Sequence, residues 1–201
     1  MEQPPIPRAT TAMVFNDMIN VNIRGADETR TKQIAESGLV DASMKWVAFL
    51  RSIGTPIIWI RVERRQDRKD RKNVITTASL RGPAAHPPVV KGSFESRNVD
   101  ELPIRPEDHE VLKPRYSPFM NTDLDLQLRA RGVDTILLGG ISTNLGVESC
   151  ARTAFDLDYN VVVIKDCCWA SDPEVHRWSL EVNLPNFARV MTAEEAGALL
   201  R

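Results

Sequence analysis

Residues 134–152 read DTILLGGISTNLGVESCAR, and this stretch decides the fold. A short apolar run at residues 134–141 ends in two glycines and an isoleucine, passes through small polar residues, and enters a helical pattern at about residues 144–157. A strand feeding a helix through so short a turn is half of a β–α–β unit. Outward from it the same alternation recurs. Downstream come a strand at 160–165 (NVVVIK), a helix near 173–184, a strand at 188–191 and a helix at 193–200. Upstream lie strands at 11–16 (TAMVFN), 56–62 (PIIWIRV) and 109–113 (HEVLK). Helices are predicted at 39–53, where Leu39, Ser43, Trp46, Val47 and Leu50 recur at helical spacing, and at 122–131; Gly54 and Gly132 stop them. Apolar runs without polar alternation suit strands buried on both faces. The chain is therefore expected to be a single α/β domain, a doubly wound parallel sheet with helices on both faces and right-handed crossovers.

The 201 residues fit one domain and can bury about 70% of the unfolded surface, enough for a core without staples. Twenty-six Lys and Arg against 27 Asp and Glu leave a net charge of −1, so neither nucleic acid nor an anionic membrane is an expected partner. No apolar run approaches the roughly 18 residues of a membrane span, and the start MEQPPIPR lacks the apolar core of a signal peptide. Three cysteines make no disulfide framework, and a reducing cytoplasm is the natural reading. Residues 63–72 (ERRQDRKDRK) form a mixed-sign charge run, read as a solvated face. The proline-rich stretch that follows has little periodicity. Residues 63–106 together are expected to act as a variable lid or substrate loop.

In open parallel sheets ligands bind at the carboxyl ends of the strands. Asp17 stands at the end of the first strand, Lys113 at the end of 109–113, and residues 142–146 after the central one. A carboxylate and an ammonium placed together in a cleft can serve as acid or base. By position alone, Asp17 could equally cap a turn and Lys113 snorkel at the surface. The tract 139–152 offers backbone N–H groups that bind an anion or a developing oxyanion. It also reads as an ordinary helix start, with Thr143 or Asn144 as N-cap and Glu148 complementing the dipole.

These residues resemble the isochorismatase-like superfamily, the cysteine hydrolases, over nearly the whole chain. The matching marks are Asp17-Met18 with Asn20, Lys113 with residues 115–119 (RYSPF), Thr122-Asp123-Leu124, residues 128–134 (LRARGVD) and 139–152. Asp166, Glu174 with His176, and residues 187–190 (FARV) complete them. The resemblance implies a six-stranded parallel sheet in one Rossmann-like domain, a catalytic Asp at Asp17 and a catalytic Lys at Lys113. It also implies a cis peptide at Ile141–Ser142 that turns N–H groups toward the pocket, with Leu145 beside them. The family's nucleophile is a cysteine in Thr-Asn-x-Cys-Val; here residues 143–147 read TNLGV and Gly146 holds that position.

Without a thiol there, the thioester route of the amide-hydrolysing members is closed, and losing a nucleophile from a comparable triad costs about 10⁶ in rate. Cys150 lies one helical turn further on, and Cys167 and Cys168 read as buried hydrophobes. The branch that resembles this chain in keeping Asp and Lys with glycine at the third position is the isochorismatases proper, in which the Asp protonates an enol ether and water captures the cation. Thr143-Asn144 stands where that branch carries Ala-His, as in the amidase branch. On this resemblance Gly146 leaves room for a bulky substrate, and Asp17 holds a proton behind an apolar wall of Phe15, Phe94, Tyr116 and Phe119. Lys113 orients a substrate carboxylate or steadies the acid. No cofactor is expected; the metal cluster of nicotinamidase-like members has no counterpart at His86, His109 or His176. The expectation is a cofactor-independent hydrolase of a small anionic molecule, with enol-ether cleavage favoured. Amide hydrolysis by Asp17-activated water, an original cysteine replaced at 146, and a binding protein without turnover are the alternatives. A homo-oligomer is expected from the resemblance.

Overall fold

Six strands hydrogen-bond side by side: β1 (Thr11–Asn16), β2 (Ile57–Val62), β3 (His109–Lys113), β4 (Thr135–Ile141), β5 (Asn160–Trp169) and β6 (Arg189–Met191). All pair in parallel, in the order β3-β2-β1-β4-β5-β6. The structure, a computed structural model, describes residues 3–25, 28–67, 69–70, 74–80 and 89–201, positions 78 and 79 by their backbone alone. His86 and parts of the expected lid, residues 68, 71–73 and 81–88, lie outside the described residues, as do residues 1–2 and 26–27.

The apolar strands are explained by two core layers. Met13, Phe15, Leu137 and Val162 point to one face, where Trp46, Val47 and Leu50 of the helix Leu39–Ser52 and Ala196 of Ala193–Leu199 cover them. Ala12, Val14, Ile136, Leu138 and Val163 point to the other, beneath Leu124 and Leu128 of Leu124–Ala130 and Cys150, Ala151 and Ala154 of Glu148–Asp156. Alternate residues of one strand thus enter different layers, which removes the polar face a one-sided sheet would show. Gly54 and Gly132 take the positive φ that ends their helices, 72° and 66°.

Departures from expectation are local. The helix Glu28–Ser37 has no counterpart in the sequence reading, because Ile34 is its one core-buried residue and an apolar stripe is missing. β5 runs on to Trp169, so Cys167 and Cys168 lie inside the strand, both buried. Its register against β4 jumps from Leu138↔Val163 to Gly140↔Cys168, leaving residues 164–167 opposite Gly139. That bulge crowds β4. A Cβ on Gly139 would stand 2.9 Å from the Cys167 carbonyl oxygen, and one on Gly140, at φ 122°, 2.0 Å from the Asn16 carbonyl oxygen. Only glycine lets β4 pass here, so the pair that marked the strand end is a packing necessity.

Candidate active site

The strand order reverses between β1 and β4, since the chain builds outward from β1 to β3 and then crosses back to start β4. The crevice at such a switch point lies outside the carboxyl ends of the two strands. Asp17 directly follows β1, and the tight turn Thr143–Val147 follows β4. Lys113 ends β3, two strand spacings or roughly 10 Å from β1. Its four-carbon stem crosses over β2, and its Nζ comes 2.7 Å from Asp17 Oδ2 with both side chains nearly excluded from solvent, 2% and 10% exposed. The pair expected from the sequence is thus assembled.

Every donor of that ammonium is engaged. Besides Asp17, Nζ donates to Asn16 Oδ1 at 3.1 Å and to the Tyr116 carbonyl at 3.2 Å, and a lysine has three N–H bonds to give. Asp17 is held as fully: its Oδ1 accepts from the Val62 amide at 2.8 Å, and its backbone turns through φ 52°, with its carbonyl taking Asn22 Nδ2. Asn16 is a participant the sequence reading did not single out. The available signal was a carboxamide closing an otherwise apolar strand, beside the candidate acid.

A Cβ built on Gly146 would lie 3.2 Å from Lys113 Nζ, 3.5 Å from the Ile141 carbonyl oxygen and 3.8 Å from Asn16 Oδ1. Position 146 therefore faces the Asp–Lys pair. The ammonium is the nearest atom to the space that the glycine leaves, at 3.2 Å from such a Cβ. The Ile141–Ser142 peptide is cis, and the Ser142 carbonyl accepts from the amides of Leu145 and Val147. Neither Thr143 nor Asn144 caps this turn. The N-cap is Ser142, without a side-chain hydrogen bond, and Thr143 Oγ1 lies 2.8 Å from His176 Nδ1 instead. Burial holds the His176 imidazole below its ordinary pKa.

The expected substrate-lining residues differ in burial. Ile141 is buried in a core layer, so only its carbonyl faces position 146. Leu145, Phe94 and Tyr116 are exposed near the strand ends. The Phe94 carbonyl accepts from Asn20 Nδ2 at 3.0 Å, which ties its loop to the helical turn after β1. Of the expected aromatic wall, Phe15 is turned into the far core layer. Phe15 stacks on Trp59 at 5.0 Å within the core layer opposite the one its neighbour Asn16 faces, and Phe119 packs on Tyr159 at 5.9 Å. Cys150 is fully buried, and burial pushes its thiol up to about 12 against the opposing influence of Lys113 and Asn16. Cys167 is pushed up likewise to about 12, and Cys168 upward too, both by burial. Among the described residues no group of three His, Cys, Asp or Glu could hold a metal ion. Two clefts, of about 310 and 590 Å³, are lined by Arg61, Arg97 and Ile104 and by His176, Leu180 and Arg189, not by the Asp–Lys pair; the chemistry, rather than the size of the opening, locates the site.

A family model described as isochorismatase domain matches residues 11–195. The chain is 35% identical over 190 residues to an uncharacterized isochorismatase family protein, YecD, of Escherichia coli O157:H7, covering 92% of this chain and 94% of that one. It is 43% identical over 93 residues to the ureidoacrylate amidohydrolase RutB of Acinetobacter baylyi, a match spanning 46% of this chain and 38% of that protein. A crystal structure of a cysteine hydrolase from Pseudomonas syringae pv. phaseolicola superposes with a TM-score of 0.84 at 28% identity, covering 98% of this chain and 97% of the other.

Proposed function

The chain belongs to the isochorismatase family, and on that footing we propose that this hydrolase acts on a small anionic molecule through Asp17 and Lys113 without a covalent cysteine intermediate. The observation that carries the reading is the 2.7 Å contact between Lys113 Nζ and Asp17 Oδ2 directly beneath the thiol-less position 146. With all three thiols buried and protonated, acyl transfer to sulfur has no nucleophile. Cleavage of an enol-ether C–O bond asks only for a proton and a water. Both Asp17 oxygens accept hydrogen bonds in the free protein, so the proton comes from the Lys113 ammonium once substrate is bound. Asp17 passes it to the terminal carbon, water adds to the oxocarbenium and returns a proton to the pair, and the hemiketal collapses to a ketone and an alcohol.

Amide or ureido hydrolysis by a water that Asp17 deprotonates is the second reading. The kinship to an amidohydrolase and the acceptor role of both Asp17 oxygens favour it. Residues 63–106 serve as the substrate lid in either case. Their described part is tied to the loop after β1 by Asn20 to Arg97 and Val99 to Met18 backbone bonds. The protein works in the cytoplasm as a homo-oligomer. Turnover of enolpyruvyl ethers and of ureido acids, compared between the native protein and Asp17→Asn, tests the reading. A fall of about 10²–10⁴ in the variant is expected, and equal rates overturn it.

A further inference from the structure

Asn16 closes β1 with its side chain on the face opposite Phe15 and is wholly buried. Its Oδ1 accepts a hydrogen bond from the Lys113 ammonium at 3.1 Å, while its Nδ2 has no oxygen or nitrogen partner and faces only the Cys150 thiol, a weak acceptor. A buried carboxamide left half satisfied costs stability, so a plain packing role would favour an aliphatic residue like those at Ala12 and Val14 on the same face. The strand also pins this residue from behind: Gly140 admits the Asn16 carbonyl where any Cβ would collide with it. The carboxamide is therefore presented to Lys113 by rigid backbone.

Lys113 has three protons and three acceptors, of which Asp17 Oδ2 alone carries charge and the Tyr116 carbonyl sits in the loop after β3. Remove the Asn16 oxygen and one buried N–H is orphaned, leaving only Asp17 Oδ2 and the Tyr116 carbonyl to hold the ammonium beside Gly146. We propose that Asn16 is a positioning residue for the acid–base pair: its side-chain oxygen keeps Lys113 charged and aimed at Asp17. This rests on the assignment of Asp17 and Lys113 to the chemistry but not on which bond they cleave. The titratable groups facing the ammonium are Asp17 from the β1 loop and the Cys150 thiol from the helix Glu148–Asp156; that thiol stays neutral.

The test is the titration of the Lys113 side chain, followed by the Cε and Nζ resonances of labelled lysine in the native protein, Asn16→Leu and Asn16→Asp. Leucine removes an acceptor, which disfavours the charged form, so the Lys113 proton affinity should fall at least tenfold and the alkaline limb of any activity should move to lower pH. Aspartate keeps the acceptor and adds a charge, so the affinity should rise. Opposite shifts from two near-isosteric variants cannot come from general loosening of the fold. Unmoved Lys113 titration, or shifts of one sign, overturns the proposal. If Asn16→Leu fails to fold, the aspartate arm decides by itself, an upward shift supporting the proposal and none overturning it. Because the resonances are read without substrate, a native protein inactive on every compound tried would count against the proposed function and leave this result standing.

Discussion

Lys113 Nζ and Asp17 Oδ2 meet at 2.7 Å although a whole strand, β2, lies between the strands that carry them. The amide of Val62, at the end of that intervening strand, binds the other Asp17 oxygen. The contact is thus a property of three strands held in register, and the carboxylate and ammonium neutralise each other out of solvent.

Breaking that pair leaves a buried charge without its partner. Lys113→Met should destabilise the fold by about 3–5 kcal/mol, and Asp17→Asn by a similar amount. The double variant should lose much less than the sum, because no lone charge remains. Urea unfolding of the four proteins measures the coupling, and strict additivity would refute the pairing as an energetic unit.

At position 146 the obstacle is the far end of a flexible side chain. Gly146→Cys should fold, with Lys113 yielding by a few tenths of an ångström. The native protein, whose cysteines are buried, should take no iodoacetamide at pH 8 without denaturant, and the variant should take one equivalent. Mass spectrometry after timed labelling reads the difference.

Gly140 and Gly54 separate two costs that sequence alone cannot tell apart. A Cβ at 54 meets nothing within 4 Å, so Gly54→Ala should cost only the left-handed strain, about 1–2 kcal/mol. At 140 it would strike the Asn16 backbone at 2.0 Å, and Gly140→Ala should cost about 4 kcal/mol or more, or prevent folding. Chemical denaturation and soluble yield rank the two.

His176 is held below its ordinary pKa by burial, so the folded protein resists its protonation while the unfolded chain does not. Stability should therefore decline as pH falls from about 6.5 toward the lower folded value, since the unfolded state binds the extra proton there. His176→Gln should flatten this part of the urea-midpoint profile. A profile of the same slope in the variant would assign the decline to other groups.

What the sequence determined alone was everything encoded by near neighbours. Continuous apolar runs such as IIWIRV and TILLGGI announce strands buried on both faces, and Gly54 and Gly132 end helices through their own backbone freedom. Family-specific marks at Asp17, Lys113 and residues 143–147 singled out residues that the fold brings together. Tertiary structure decided the rest, because it brings together residues whose partners lie far along the chain. Asn16 and Lys113 are 97 positions apart, and nothing local says that the ammonium of one needs the oxygen of the other. Separations of 33 to 44 positions likewise hid the approach of Lys113 to Gly146, the stacking of Phe15 on Trp59 in the far layer, and the bond of Thr143 to His176 in place of a helix cap.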